Sequence, residues 1–240
     1  MTKQNYCSPI YAREPNDLAL IAAWKRQHYP DHTEHLPEAV SEDLNVDWLR
    51  VAYLNGMFPW YSTGEPVYWW SPNPRMVLLP KEFKLHDSLK KMIKKRLNDP
   101  VHDNWQIRMN HDFESIIRAC SQQSRAGQSG TWITDEVVRS YCDLHALGHA
   151  NSIETWYQNE LVGGLYFVHF GQIVFGESMF SKVTDASKMA FYQLIQWCLA
   201  QDILLIDCQQ KTQHLASLGA KTIEKPAFLS FLERATALIK

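Results

Sequence analysis

No C-x-x-C pair occurs in this chain, and its five cysteines (Cys7, Cys120, Cys142, Cys198 and Cys208) are scattered and odd in number. That excludes a disulfide framework and a structural zinc site of the usual spacing. No stretch approaches the roughly 20 apolar residues of a membrane span, and the opening MTKQNYCSPIYAREPND has no apolar core of a secretion signal. Charge of one sign is missing too: 24 Lys and Arg stand against 26 Asp and Glu, a net charge of −2. A bulk nucleic-acid condenser is therefore excluded, whereas a local basic patch is not. The chain also lacks a G-x-x-x-x-G-K-[ST] phosphate loop, a G-x-G-x-x-G turn, an H-E-x-x-H helix and a G-x-S-x-G elbow. The expectation is a soluble, reduced, cytoplasmic protein with no membrane partner.

What is present is an ordinary globular composition, 45% hydrophobic and 21% charged, with nine tryptophans, three of them clustered as Trp60, Trp69 and Trp70. Residues 1–45 predict one helix, PNDLALIAAWKRQH, capped by Asn16 or Asp17 and followed by a loop. Asn45 starts a second helix that Gly56 closes. The Pro-, Gly- and aromatic-rich stretch 56–75 reads as irregular, with a domain junction near Pro74. Beyond it come a strand RMVLLP, a helix from Asp87 or Ser88, a strand WQIRMN, and helices DFESIIRACS and DEVVRSYCDLHAL, the latter capped by Thr134. Three strands with tight connections follow from Asn151, then a helix from Asp185 to Ala200, the apolar strand ILLID and two closing helices. The predicted class is α+β, with a small domain at 1–74 and a larger one at 75–240 built on a mixed central sheet.

Few residues stand out one at a time. His145 and His149 are four apart, but Gly148 ends the helix between them, so they read as a helix-end pair. His28, His32 and His35, with Asp31 and Glu34, read as a solvated loop rather than a metal site. The span Lys81–Arg96 holds seven basic residues and two acidic ones. That face is either a phosphate footprint or simply a solvated helix surface. Asp207 closes a buried strand and Glu177 interrupts an apolar one. A carboxylate in either place must be paired, used, or set as a cap for the next element.

Taken together, the runs FPWYSTGEPVYWWSPNPR, TWIT, ELVGGLYFV, FGESMFS, DASK, LIDCQ and HLASLGA, in this order and spacing, resemble the bacterial leucyl/phenylalanyl-tRNA–protein transferases. The resemblance covers about residues 46–240. It implies an enzyme that moves Leu, Phe or Met from aminoacyl-tRNA to proteins beginning with Arg or Lys, marking them for N-end rule degradation. It also implies a C-terminal domain similar to the GNAT acyltransferase fold, and a reaction that needs no cofactor or metal. The glycine-rich pyrophosphate loop of a coenzyme A enzyme is absent before Asp185. That absence weighs against the first alternative, an acetyltransferase using acyl-CoA. The second alternative is a non-catalytic tRNA- or degron-binding protein.

By the same resemblance Asp207 and Gln209 are the catalytic pair, expected to project to one side of their strand at i, i+2. Gln209 holds the amine or the ester carbonyl, and Asp207 orients it, either as part of a base or only by positioning. The donor side chain is expected among Leu165, Val174, Phe175, Leu194, Cys198 and Ile206, with Glu177 at the mouth near the donor's α-amine. Core packing accounts for these apolar residues as well. Tyr53, Trp60, Trp132 and Tyr141 are expected around the terminal adenosine, and Lys90, Lys91, Lys94 and Lys95 on tRNA phosphates.

Overall fold

The structure, a computed structural model, describes residues 9–29, 36–97, 104–123 and 131–237. Cys7, the cluster Asp31, His32, Glu34 and His35, and residues 124–130 lie outside the described residues.

Two sheets organise the chain. A four-stranded one has the order β1 (Ile10–Tyr11), β2 (Ala39–Ser41), β4 (Val67–Trp70), β3 (Phe58–Pro59). Two of its strands fall where an irregular stretch is expected from sequence. The alternation explains why: Val67 and Trp69 are buried while Tyr68 and Trp70 are half-buried, which is the period of a strand with one face inward. Helix α1 (Pro15–His28) is capped at Glu14, two residues before the nearer of the expected caps, Asn16 and Asp17. Pro15 occupies the first helical position, and Asp17 accepts hydrogen bonds from the backbone N–H groups of Arg13 and Glu14. Helix α2 (Val46–Leu54) starts as expected, with the Asn45 side chain accepting from Asp47 and Trp48, and Gly56 leaves it at φ +77°.

The second sheet has seven strands in the order β11 (Lys221–Ile223), β5 (Arg75–Leu78), β10 (Leu205–Gln209), β9 (Ile173–Ser181), β8 (Glu160–Phe170), β7 (Ala150–Tyr157), β6 (Trp105–Met109). Only β9 and β10 pair in parallel within it, so the sheet is mixed as expected. Helix α6 (Ala186–Ala200) covers one face, packing Ala190, Phe191, Leu194 and Cys198 onto Leu165, Val174 and Ile206. The other face carries α4 (Phe113–Ser121), α5 (Asp135–Ala146) and α8 (Lys225–Thr236), whose core runs without a break into Trp48, Tyr53 and Trp69 of the N-terminal elements. Helix α3 (Asp87–Leu97) and the short α7 (Gln213–Ser217) complete the α+β fold.

Two details of this frame create the site. The parallel pairing of β9 with β10 stops at Phe175–Asp207, so Gly176, Glu177, Cys208 and Gln209 border the gap where the strands part. In the same place a bulge interrupts β10 against β5, between Asp207, which faces Val77, and Gln209, which faces Met76. Gln209 adopts φ +55° there. Val77 belongs to one core and Met76 to the other. The bulge thus turns Gln209 to the opposite face from Asp207, which corrects the same-side expectation.

Candidate active site

Two cavities, each of about 280 Å³, meet in that gap. The first is apolar and lies between the sheet and α6, lined by Leu165, Ile206, Met179, Phe191, Leu194 and Leu215 among others. The second is an aromatic cleft between Phe58, Pro59 and Trp60 on one side, Trp132 on another, and Gln210 and Thr212 below. Glu177, Cys208, Gln209 and Leu215 line both. A ligand with an apolar arm and a flat ring could therefore occupy both cavities with its middle at these shared residues.

The expected pocket residues divide in the structure. Leu165, Leu194 and Ile206 line the apolar cavity. Val174, Phe175 and Cys198 do not, which is a correction. Val174 lies deeper in the same core, and Cys198 is one helical turn beyond Leu194 on α6, away from the opening. Phe175 points to the opposite core, its ring 4.9 Å from that of Tyr53. Met179, Phe191 and Leu215 were not expected, and only their apolar character on a strand or helix face hints at them.

The expected aromatics divide as well. Trp60 and Trp132 face the cleft, both half-buried. Tyr53 and Tyr141 are fully buried and line neither cavity, so an adenosine cannot stack on them. Their hydroxyls meet at 2.5 Å and turn to Glu177: Tyr53 donates to Oε1 at 2.6 Å and Tyr141 to Oε2 at 3.3 Å. Burial lifts the Glu177 carboxyl to about 8, with Asp207 adding to the rise, while the two phenols and Arg75 oppose it. Both tyrosines are pushed well above the ordinary phenol value, by burial first and by Glu177 next, and remain donors.

Asp207 is fully buried and lines neither cavity. Arg75, also buried, holds it through Nε–Oδ1 at 2.8 Å and Nη2–Oδ2 at 2.6 Å. The guanidinium lies over the rings of Phe228 (4.5 Å) and Phe58 (5.1 Å). Asp207 Oδ1 also accepts the backbone N–H of Gln209 at 2.9 Å. The aspartate thus reaches the cavities only through the backbone it fixes, and it is Gln209 that faces them. Arg75 was missed from sequence. Its signal is a lone cation inside the apolar strand RMVL, which demands a buried anion.

Cys208 lines both cavities, yet burial, with Asp207 adding to it, pushes its thiol far up. It therefore stays a neutral S–H and is a poor nucleophile. Among the described residues no group of three His, Cys, Asp or Glu is placed to hold a metal ion. His145 stacks on Phe113 at 4.4 Å and His149 lies tilted against Phe170 at 4.5 Å, which makes them packing residues.

The α3 lysines Lys90, Lys91, Lys94 and Lys95 are all exposed. Arg96 is not part of that face: it lies 4.3 Å over Trp105 and donates to the Thr184 carbonyl at 3.0 Å.

A sequence model described as leucyl/phenylalanyl-tRNA protein transferase matches residues 77–233, and one for the N-terminal domain of the same protein matches 42–73. The chain belongs to the leucyl/phenylalanyl-tRNA–protein transferase family, and it is an aminoacyltransferase. A curated member from Burkholderia multivorans is 52% identical over 199 residues, covering 83% of this chain and 77% of that protein. One from Paraburkholderia xenovorans is 54% identical over 192 residues, covering 80% and 77%. Among solved structures, one described as FemX covers 93% of this chain and 81% of its own, at 10% identity and a TM-score of 0.48. A GCN5-related N-acetyltransferase from Kribbella flavida covers 88% and 74%, at 10% identity and a TM-score of 0.37.

Proposed function

We propose that this transferase takes Leu, Phe or Met from aminoacyl-tRNA and joins it to the α-amine of proteins beginning with Arg or Lys, in the cytoplasm, marking them for N-end rule degradation. The observation that carries the reading is the meeting of an apolar pocket and an aromatic cleft at Glu177 and Gln209. An aminoacyl ester on a terminal adenosine has this outline: an apolar side chain, a carbonyl in the middle and a flat base. The side chain sits among Leu165, Leu194 and Ile206, and the adenine between Trp60 and Trp132. The carbonyl lies at Gln209, and the donor's α-amine near Glu177. Gln209 is the catalytic residue of the expected pair, and Asp207 a positioning residue behind it. The exposed lysines of α3 meet tRNA phosphates. The division into units 1–74 and 75–240 follows the change of sheet between Trp70 and Arg75.

Aminolysis of an ester runs downhill, so the protein's task is orientation and proton handling. The acyl-CoA alternative is disfavoured by the start of α6. An anion site there needs free backbone N–H groups. Instead the N–H of Ala186 is held by the Val183 carbonyl at 3.0 Å and that of Ser187 by Ser181 Oγ at 3.3 Å, and the Asp185 carboxylate beside them pairs with Lys188 at 2.6 Å. Gly163 also presses so close that an added Cβ would lie 2.5 Å from that of Ala186. The test is incubation with leucyl-tRNA and a peptide beginning with Arg. Leucine at the peptide's N-terminus is the expected product. Binding of the peptide or tRNA without transfer would favour the non-catalytic alternative.

A further inference from the structure

The chemistry proposed above needs a group that removes a proton from the acceptor. Asp207 cannot be that group, because it lines neither cavity and both its oxygens are held by Arg75. Gln209 has no ionisable group, and Cys208 stays a neutral thiol. Among the described residues, Glu177 is the one carboxylate that lines both cavities.

We propose, resting on the aminoacyl-transfer reading, that Glu177 is the proton acceptor for the attacking amine, and that Tyr53 and Tyr141 are positioning residues that aim its carboxylate at the junction of the two cavities. The two hydroxyls take up one oxygen each. The hydroxyl oxygens also lie 2.5 Å apart; with two protons between them, no more than two of the three contacts carry a proton at once while Glu177 is ionised, and together they fix the carboxylate plane from α2 and α5. The remaining acceptor capacity of a carboxylate, about four lone-pair sites in all, is left for a cation in the cavity.

The acceptor enters as an ammonium and gives one proton to Glu177. Its nitrogen then forms the C–N bond at the ester carbonyl carbon, and the C–O bond to the terminal ribose breaks. The second nitrogen proton goes to the departing ribose oxygen, and Glu177 returns its own proton to water through the open cavities. A carboxyl lifted toward neutral pH suits this exchange, since its affinity for the proton then approaches that of an α-amine.

Tyr53, Tyr141, Asp207 and Arg75 act on Glu177 directly. On the other elements packed against β9, Glu114 and Arg118 of α4 pair with each other, Lys188 of α6 pairs with Asp185, and Lys225 of α8 pairs with Glu38.

The test is the single-turnover transfer rate to an Arg-peptide against pH, at saturating leucyl-tRNA, for wild type, Glu177→Gln, Glu177→Ala and Tyr53→Phe. Melting temperature and leucyl-adenosine binding are measured on each variant. The acceptor amine contributes its own ionisation to every profile, so the differences between proteins are what is read. Glu177→Gln is expected to lose about 10²–10⁴-fold in rate with donor affinity kept. Added formate should restore part of the activity of Glu177→Ala. Tyr53→Phe, having lost a donor to the carboxylate, should reach its plateau at higher pH. A folded Glu177→Gln within fivefold of wild type overturns the proposal. So does a loss that appears only as weaker donor binding, since Glu177 would then merely hold the donor's α-amine. If wild type itself transfers nothing, the aminoacyl-transfer reading has failed first.

Discussion

Arg75 and Asp207, 132 positions apart, meet as a two-point ion pair with no exposed surface, and Asp207 spends its spare capacity on the backbone N–H of Gln209. The pair ties β5 to β10 at the bulge and sets the direction in which Gln209 leaves the strand. Breaking such a pair costs about 3–5 kcal/mol, because the survivor is a buried charge without a partner. Arg75→Met and Asp207→Leu should each lose stability of that order in denaturant unfolding. The double variant should be more stable than either single one. Additive losses would show that the two are not coupled.

Selectivity among donors should follow the residues that line the apolar cavity. Leu194→Phe should penalise phenylalanyl-tRNA over leucyl-tRNA by tenfold or more, since a methylene in such a pocket is worth roughly 1–3 kcal/mol. Cys198→Phe should leave the ratio unchanged and instead cost about 1–3 kcal/mol of stability by overpacking. The transfer rates of both variants with each charged tRNA check this. A changed ratio in Cys198→Phe would return that position to the pocket.

Much of the architecture could be read from sequence because single residues announced it. Asn45, Thr134 and Gly148 mark helix ends by their chemistry, and the apolar run ILLID marks a strand whose Leu205, Ile206 and Asp207 are buried, although it begins only at Leu205 and Leu204 before it is exposed. The small N-terminal sheet was hidden because its strands are two to four residues long, too short for a period to register. In the site, Glu177, Gln209, Trp60 and Trp132 were legible as residues and are brought together by the fold. Tyr53 and Tyr141 turn to a different partner than expected, since no motif tells whether a tyrosine faces a ligand or a half-buried carboxylate. The bulge that separates Gln209 from Asp207 leaves no trace in the letters LIDCQ.

The α3 lysines should act on tRNA and not on its terminal nucleoside. The pair Lys90→Ala, Lys94→Ala should weaken tRNA binding and lower the salt slope by about 0.7–0.9 for each phosphate no longer neutralised. Use of a short aminoacyl-adenosine should be near normal. An unchanged slope, measured by titration between low and moderate salt, would make this a solvated face.

Glu177 should mark the stability of the empty enzyme with pH. Its folded value is raised from 4.5 to about 8, so the folded state holds a proton that the unfolded chain has already released in that window. Its contribution is whole below the lower value and is lost as pH rises through the upper one. Glu177→Gln, which cannot ionise, should therefore gain in melting temperature relative to wild type between pH 5 and pH 8. A constant difference across that range would show that the carboxyl is ionised throughout.

The central claim is that one aminoacyl-adenosine spans both cavities, and the structure of a complex with a non-hydrolysable amide analogue of leucyl-adenosine tests it most directly. The account predicts the leucyl side chain against Leu165, Leu194 and Ile206, the adenine between Trp60 and Trp132, and the carbonyl within hydrogen-bond reach of Gln209. An adenine seated in the apolar cavity, or an analogue bound clear of Glu177 and Gln209, would contradict it.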